Sequence, residues 1–84
     1  MKIIWTRTAW KDYIYWQSTD KKKVKRINEL IKATLREPFS GIGNPEPLKH
    51  DLQGFCSRRI DSVHRLVYAY REGALEVIGC RYHY

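Results

Sequence analysis

Long apolar runs are missing from this 84-residue sequence, and no stretch approaches the ~20 residues that a bilayer-spanning helix needs. No membrane partner is expected. The opening Met1-Lys2-Ile3-Ile4-Trp5-Thr6-Arg7 reaches charge too soon to hold the apolar core of a signal peptide, so a cytoplasmic location is expected. Cysteine is scarce. Cys56 and Cys80 form no C-x-x-C pairing, which removes redox motifs and zinc ligand sets; both read as small buried hydrophobes, with a disulfide between them left open. His50 and His64, taken with these cysteines, match no common zinc spacing, and neither metal nor cofactor is expected. Gly41-x-Gly43 neither follows a strand nor opens a helix, which excludes a phosphate-cradling loop and nucleotide hydrolysis.

Acidic residues are also few. Nine Asp and Glu against 16 Lys and Arg leave +7 on a small body, the electrostatic footprint of a nucleic-acid binder, although an acidic protein partner suits it equally. Hydrophobic residues at 43% and charged residues at 30% place the chain among folded proteins rather than disordered ones. At this length one domain over residues 1–84 with one small core is expected.

The pattern along the chain predicts an α+β fold. A short strand over 2–6 leads into a helix ending near Ser18, in which Ala9, Trp10, Tyr13, Ile14 and Trp16 keep helical spacing. Thr19-Asp20 offers capping oxygens to a second helix, with Val24, Ile27, Leu30, Ile31 and Leu35 on its apolar stripe, and Pro38 ends it. The lysines and arginines on its outer face read equally as a solvated surface or a phosphate-contacting ridge. Residues 39–47 read as a stiff loop carrying Glu46 between two prolines, and three strands follow over 56–61, 64–70 and 74–82. The expected architecture is two N-terminal helices packed on one face of a largely antiparallel sheet.

For the last hairpin, a three-residue loop with Gly73 in a left-handed bulge position pairs Arg65 near Gly79 and Val67 near Val77. That register puts Arg65, Val67, Leu75, Val77, Arg81 and His83 on one face. A two-residue Glu72-Gly73 turn separates Arg65 from His83.

Metal-free RNA cleavage needs a base for the 2'-hydroxyl, cations for the phosphoryl oxygens and an acid for the leaving 5'-oxygen. Glu46 supplies a carboxylate, Arg58, Arg59 and Arg65 supply permanent cations, and His83 is the candidate acid. The closing Arg81-Tyr82-His83-Tyr84 interleaves cations with rings, a combination that holds phosphates while stacking a base.

Pro45-Glu46-Pro47-Leu48-Lys49-His50, Gly54-Phe55 with Ser57-Arg58-Arg59-Ile60, His64-Arg65-Leu66-Val67-Tyr68 and terminal Arg81-Tyr82-His83-Tyr84 together resemble the YoeB (Txe) toxins of the RelE superfamily. The resemblance extends into the helices through Trp10, Tyr13, Trp16 and residues 27–32. It implies a microbial-ribonuclease-like (RelE-like) fold that enters the ribosomal A site and cuts mRNA to 2',3'-cyclic phosphate and 5'-hydroxyl ends. By the family pattern Glu46 is the base, His83 the acid, Arg65 the transition-state cation and Tyr84 an RNA-positioning group, with Lys49 and Arg59 adding charge. A cognate antitoxin of the YefM (Phd) kind is implied as partner. Cys56 stands where the family commonly has Trp, which bears on packing and on any homodimer more than on proton transfer. Two rivals remain: a non-catalytic nucleic-acid or ribosome-binding module, and a gyrase-directed toxin of the same superfamily.

Overall fold

Thr6 divides the first strand from the first helix. The computed structural model describes residues 1–82; the expectations placed on His83 and Tyr84 lie outside the described residues. Strand β1 (Lys2–Trp5) hands over to α1 (Arg7–Thr19) at Thr6, whose Oγ1 accepts the Ala9 N–H at 3.1 Å and so satisfies one orphan donor of the first turn. Asp20 serves both helices. Its N–H closes α1 on Trp16 O at 2.8 Å, and its carboxylate accepts the Lys22 N–H at 3.0 Å to open α2 (Lys21–Arg36). Glu37 is extended ahead of Pro38, and the helix stops there.

After a loop come β2 (Glu46–Pro47), a single 3-10 turn (His50–Leu52), β3 (Cys56–Arg59), β4 (Arg65–Arg71) and β5 (Ala74–Gly79). The sheet order is β1-β5-β4-β3-β2. β1 lies parallel to β5 and the other three pairings are antiparallel, so the largely antiparallel sheet is a mixed one. Glu46, expected in an irregular loop, instead begins a two-residue strand opposite Ser57. The backbone there finds ladder partners rather than water.

Both helices cover the same face. Ala9 and Trp16 from α1 and Ile27, Leu30 and Ile31 from α2 pack on Leu66, Tyr68, Leu75, Val77 and Cys80 from the sheet side. Both cysteines are free thiols, with Cys80 fully buried. Burial pushes the Cys80 thiol up to about 12, helped by the nearby Asp12 carboxylate.

The last hairpin departs from the expected register. Glu72 and Gly73 both have positive φ, 47° and 76°, and Arg71 pairs with Ala74, so the turn has two residues of the kind whose twist suits a hairpin. Leu75 and Val77 therefore face the helices with Tyr70 and Tyr68, not the face of Arg65 and Val67. A bulge at Ile78 then intervenes. Tyr68 pairs with Val77 but Val67 pairs with Gly79, so the bulge undoes the change of parity made at the turn. The Thr6 hydroxyl, 3.3 Å from Ile78 O, holds this irregular carbonyl.

Candidate active site on the open face of the sheet

Side chains alternate along a strand, so the residues of β3 and β4 that do not enter the helix-covered core must line the other face. In β3 these are Ser57 and Arg59, and in β4 Arg65, Val67, Ala69 and Arg71, the first two of which lie opposite the β3 pair. The pairing makes Ser57 the neighbour of Val67 and Arg59 the neighbour of Arg65, while Glu46 comes alongside Ser57 from β2. Five residues from three strands thus share one patch.

Within it, Arg65 Nη1 lies 3.7 Å from Glu46 Oε2 and 3.5 Å from Ser57 Oγ. Both distances exceed those of a tight charge-assisted hydrogen bond, ~2.7–2.9 Å, so neither partner saturates the guanidinium fork. Glu46 is exposed, with 57% of its side chain open to solvent, while Arg65 is half-buried and Ser57 buried. A carboxylate and a cation therefore face solvent over a polar floor, close enough to act on one phosphodiester.

Arg59 is exposed beside Arg65, and Lys49 is exposed at the start of the 3-10 turn. Arg58 does not join them. It is 0% exposed, on the core side of β3, and donates to the carbonyls of Ile42 at 2.8 Å, Ser40 at 2.9 Å and Glu37 at 2.5 Å. Its expected role in phosphate binding is corrected: adjacent strand residues point to opposite faces, and with Arg59 outside, Arg58 is inside. There it ties down the loop that delivers Glu46, aided by the Arg59 N–H bond to Gly43 O at 2.7 Å.

Arg81 is half-buried, its guanidinium 3.6 Å from the centroid of the Tyr15 ring on α1 and 4.7 Å from that of Tyr82. The basic outer face of α2 belongs to the helix layer, on the opposite side of the sheet from Glu46 and Arg65. Two of its cations have local duties: Lys23 pairs with Asp61 at 2.6 Å, and Arg26 donates to Arg59 O at 3.1 Å. A cleft of about 800 Å³ between β1 and α2, lined by Ile3, Trp5, Val24, Ile31 and Leu35, is likewise remote from the open-face patch.

Sequence reasoning passed over Ser57, which carries no charge to mark it; its parity with Arg59 was the available signal. It also passed over the contacts that guide the chain toward its end. Trp16 Nε1 donates to Cys80 O at 2.8 Å, Asp12 accepts the Cys80 N–H at 3.0 Å, and Arg65 N–H donates to Tyr82 O at 2.9 Å. The described chain thus runs back to Arg65. Whether His83 shares its face lies outside the described residues.

Comparison with known proteins places the sequence and the fold in one family. Residues 5–84 match the family model described as a YoeB-like toxin of bacterial type II toxin-antitoxin systems. Toxin YoeB of Escherichia coli K12 is 62% identical over the full length of both chains, and its Synechocystis counterpart is 57% identical, covering all of this chain and 98% of the relative. Among solved structures, a YoeB/ParE toxin from Agrobacterium tumefaciens superimposes with a TM-score of 0.96 at 52% identity over the whole of both chains. The toxin in a heterotetrameric YoeB-YefM complex from Staphylococcus aureus gives 0.92 at 46% identity, covering all of this chain and 98% of that one. YafQ of Escherichia coli, at 18% identity and a TM-score of 0.74, shares the fold. By sequence and by architecture alike, the chain belongs to the YoeB-like toxins of bacterial type II toxin-antitoxin systems.

Proposed function

We propose that this toxin is a metal-independent endoribonuclease that cuts mRNA in the ribosomal A site and so stops translation. The observation that carries the reading is the Glu46–Arg65 pair, 3.7 Å apart on an open, basic face. Glu46 takes the proton of the 2'-hydroxyl, and the resulting oxygen attacks the adjacent phosphorus. Negative charge builds on the phosphoryl oxygens as the P–O5' bond breaks, and the unsaturated guanidinium of Arg65 meets it, with Arg59 adding charge beside it. His83 protonates the departing 5'-oxygen, leaving a 2',3'-cyclic phosphate and a 5'-hydroxyl; Tyr84 positions the RNA, and Lys49 and Arg81 contribute to phosphate binding.

Isolated activity on free RNA is expected to be weak, because one exposed carboxylate and its cations do not themselves align a flexible strand; the ribosome supplies that alignment. A relative from Staphylococcus aureus is known both as a dimer and in complex with YefM. For this chain we infer a cytoplasmic protein of one domain, neutralised by a YefM-type antitoxin and able to pair with itself.

The test is primer extension on mRNA recovered from translating ribosomes incubated with purified toxin. New ends bearing 5'-hydroxyls are expected, with Glu46→Gln slower by about 10²–10⁴. Absence of new ends, or a Glu46→Gln variant as fast as the parent, overturns the reading. Trapped gyrase–DNA adducts in place of cut mRNA would favour the gyrase-directed alternative.

A further inference from the structure

Tyr82 has φ of +62°, a left-handed conformation that residues with a Cβ rarely adopt. Such a conformation persists when its surroundings over-determine it. Two consecutive residues at the start of β4 do so. His64 Nδ1 accepts the Tyr82 N–H at 2.7 Å, and the Arg65 N–H donates to Tyr82 O at 2.9 Å, so both polar backbone groups of Tyr82 are gripped.

The gripping ring is itself fixed. His64 is half-buried, meets Trp16 edge-on at a centroid distance of 4.8 Å, and lies 5.5 Å from the Tyr82 ring. The backbone N–H of His64 is held by Asp61 Oδ1 at 2.6 Å. An N–H donor aimed at Nδ1 requires that nitrogen to carry no proton, which makes Nε2–H the bound tautomer.

We propose that His64 is a positioning residue: through its Nδ1 bond to Tyr82 it sets the direction in which the chain enters His83-Tyr84, and thereby the alignment of the acid with the scissile bond. The proposal rests on the endoribonuclease reading for its catalytic consequence. It assigns His64 no contact with RNA and no proton transfer. The neighbouring Arg65 N–H holds the Tyr82 carbonyl on the other side of the same residue and stays in place when the His64 acceptor is removed.

The first measurement uses the unmodified protein. Nitrogen-15 chemical shifts of the His64 ring at neutral pH are expected to show Nδ1 unprotonated and Nε2 protonated; a proton on Nδ1 overturns the clamp. The second compares His64→Phe, which keeps a ring against Trp16 but lacks the acceptor, with His64→Asn, whose side-chain oxygen restores one. His64→Phe is expected to lower kcat for ribosomal mRNA cleavage by about 10–100-fold with little change in KM, since small misplacements of aligned groups cost that much. Its Tyr82 amide should exchange hydrogen roughly tenfold faster, and His64→Asn should recover most of both losses.

In a His83→Ala background the His64→Phe change should cost almost nothing further, because residues acting as a unit are non-additive. Multiplying losses, or no rescue by Asn, overturns the positioning role. If the parent cuts mRNA and His64→Phe cuts equally well, that role alone fails. If the parent cuts no mRNA at all, the endoribonuclease reading falls and the catalytic role of His64 falls with it.

Discussion

Arg58 Nε donates to the Tyr68 hydroxyl at 3.3 Å, and that hydroxyl donates in turn to Pro38 O at 2.6 Å, so a cation and a phenol on neighbouring strands together close the loop after α2. Burial raises the Tyr68 phenol above its ordinary value, and the Arg58 guanidinium works against this. The loop carbonyls of Glu37, Ser40 and Ile42 have one common partner, the Arg58 fork.

Arg58→Lys should therefore be severe despite preserving charge, because one ammonium cannot reproduce a planar fork that serves several carbonyls and a hydroxyl. Removing a partner from a buried charged network costs about 3–5 kcal/mol. At about 4–8 °C per kcal/mol for a domain of this size, Tm should fall by more than about 10 °C in thermal unfolding followed by circular dichroism. An unchanged Tm would refute the loop-closing role.

Two glycines separate crowding from backbone strain. At Gly43, φ +83°, an added Cβ meets Leu30 Cδ2 at 2.7 Å and Arg58 Cβ at 3.0 Å, whereas at Gly54, φ +94°, it meets nothing within 4 Å. Gly54→Ala should cost only the left-handed penalty, about 1–2 kcal/mol. Gly43→Ala adds overpacking against α2 and Arg58, for a total of about 3 kcal/mol or more. Urea unfolding of both variants checks the order; equal losses would remove the packing argument.

The helices were legible because Ile27, Leu30 and Ile31 repeat with a period no strand shares, and Asp20 and Pro38 mark the limits of α2 in local chemistry. The Glu46–Arg65 juxtaposition was not readable from spacing, since it depends on a short β2 strand that Pro45 and Pro47 disguise as loop. Family resemblance pointed to both residues. Arg58 was misread although the alternation rule already required Arg58 and Arg59 to face apart. The hairpin shows a different difficulty: Glu72-Gly73 suits loops of two lengths, and the bulge at Ile78 is signalled only by the adjacent Gly79, which the reading passed over. The error at the turn and the omission of the bulge offset each other in parity, so part of the expected register was regained for the wrong reason.

Glu46→Gln and Arg65→Ala should separate stability from activity. Their ion pair is partly exposed and loose, and such pairs contribute about 0–1 kcal/mol. Each variant is expected to stay within a few degrees of the parent Tm while losing at least about 10²-fold in mRNA cleavage on the ribosome. Unfolding of either variant at 37 °C would instead make the pair a structural element of the sheet edge.

Acid should weaken the fold through Asp61. Partial burial pushes its carboxyl up, but the Lys23 ammonium and the N–H groups of His64 and Val63 more than offset this and hold it down at about 2. An unfolded aspartate titrates near ~3.9, so the folded state favours the ionised form. The stabilisation is fully present above pH ~4 and is lost as pH falls through about 2. After allowance for solvent screening it amounts to about 1–2 kcal/mol. In urea unfolding at stepped pH, Asp61→Asn should therefore approach the parent's stability toward pH 2 and fall short of it by that amount at pH 6. Because Asp61 also holds the His64 N–H, the same variant should speed Tyr82 amide exchange at neutral pH. A variant that parallels the parent at every pH would show that ionisation of Asp61 contributes nothing to the fall in stability with acid.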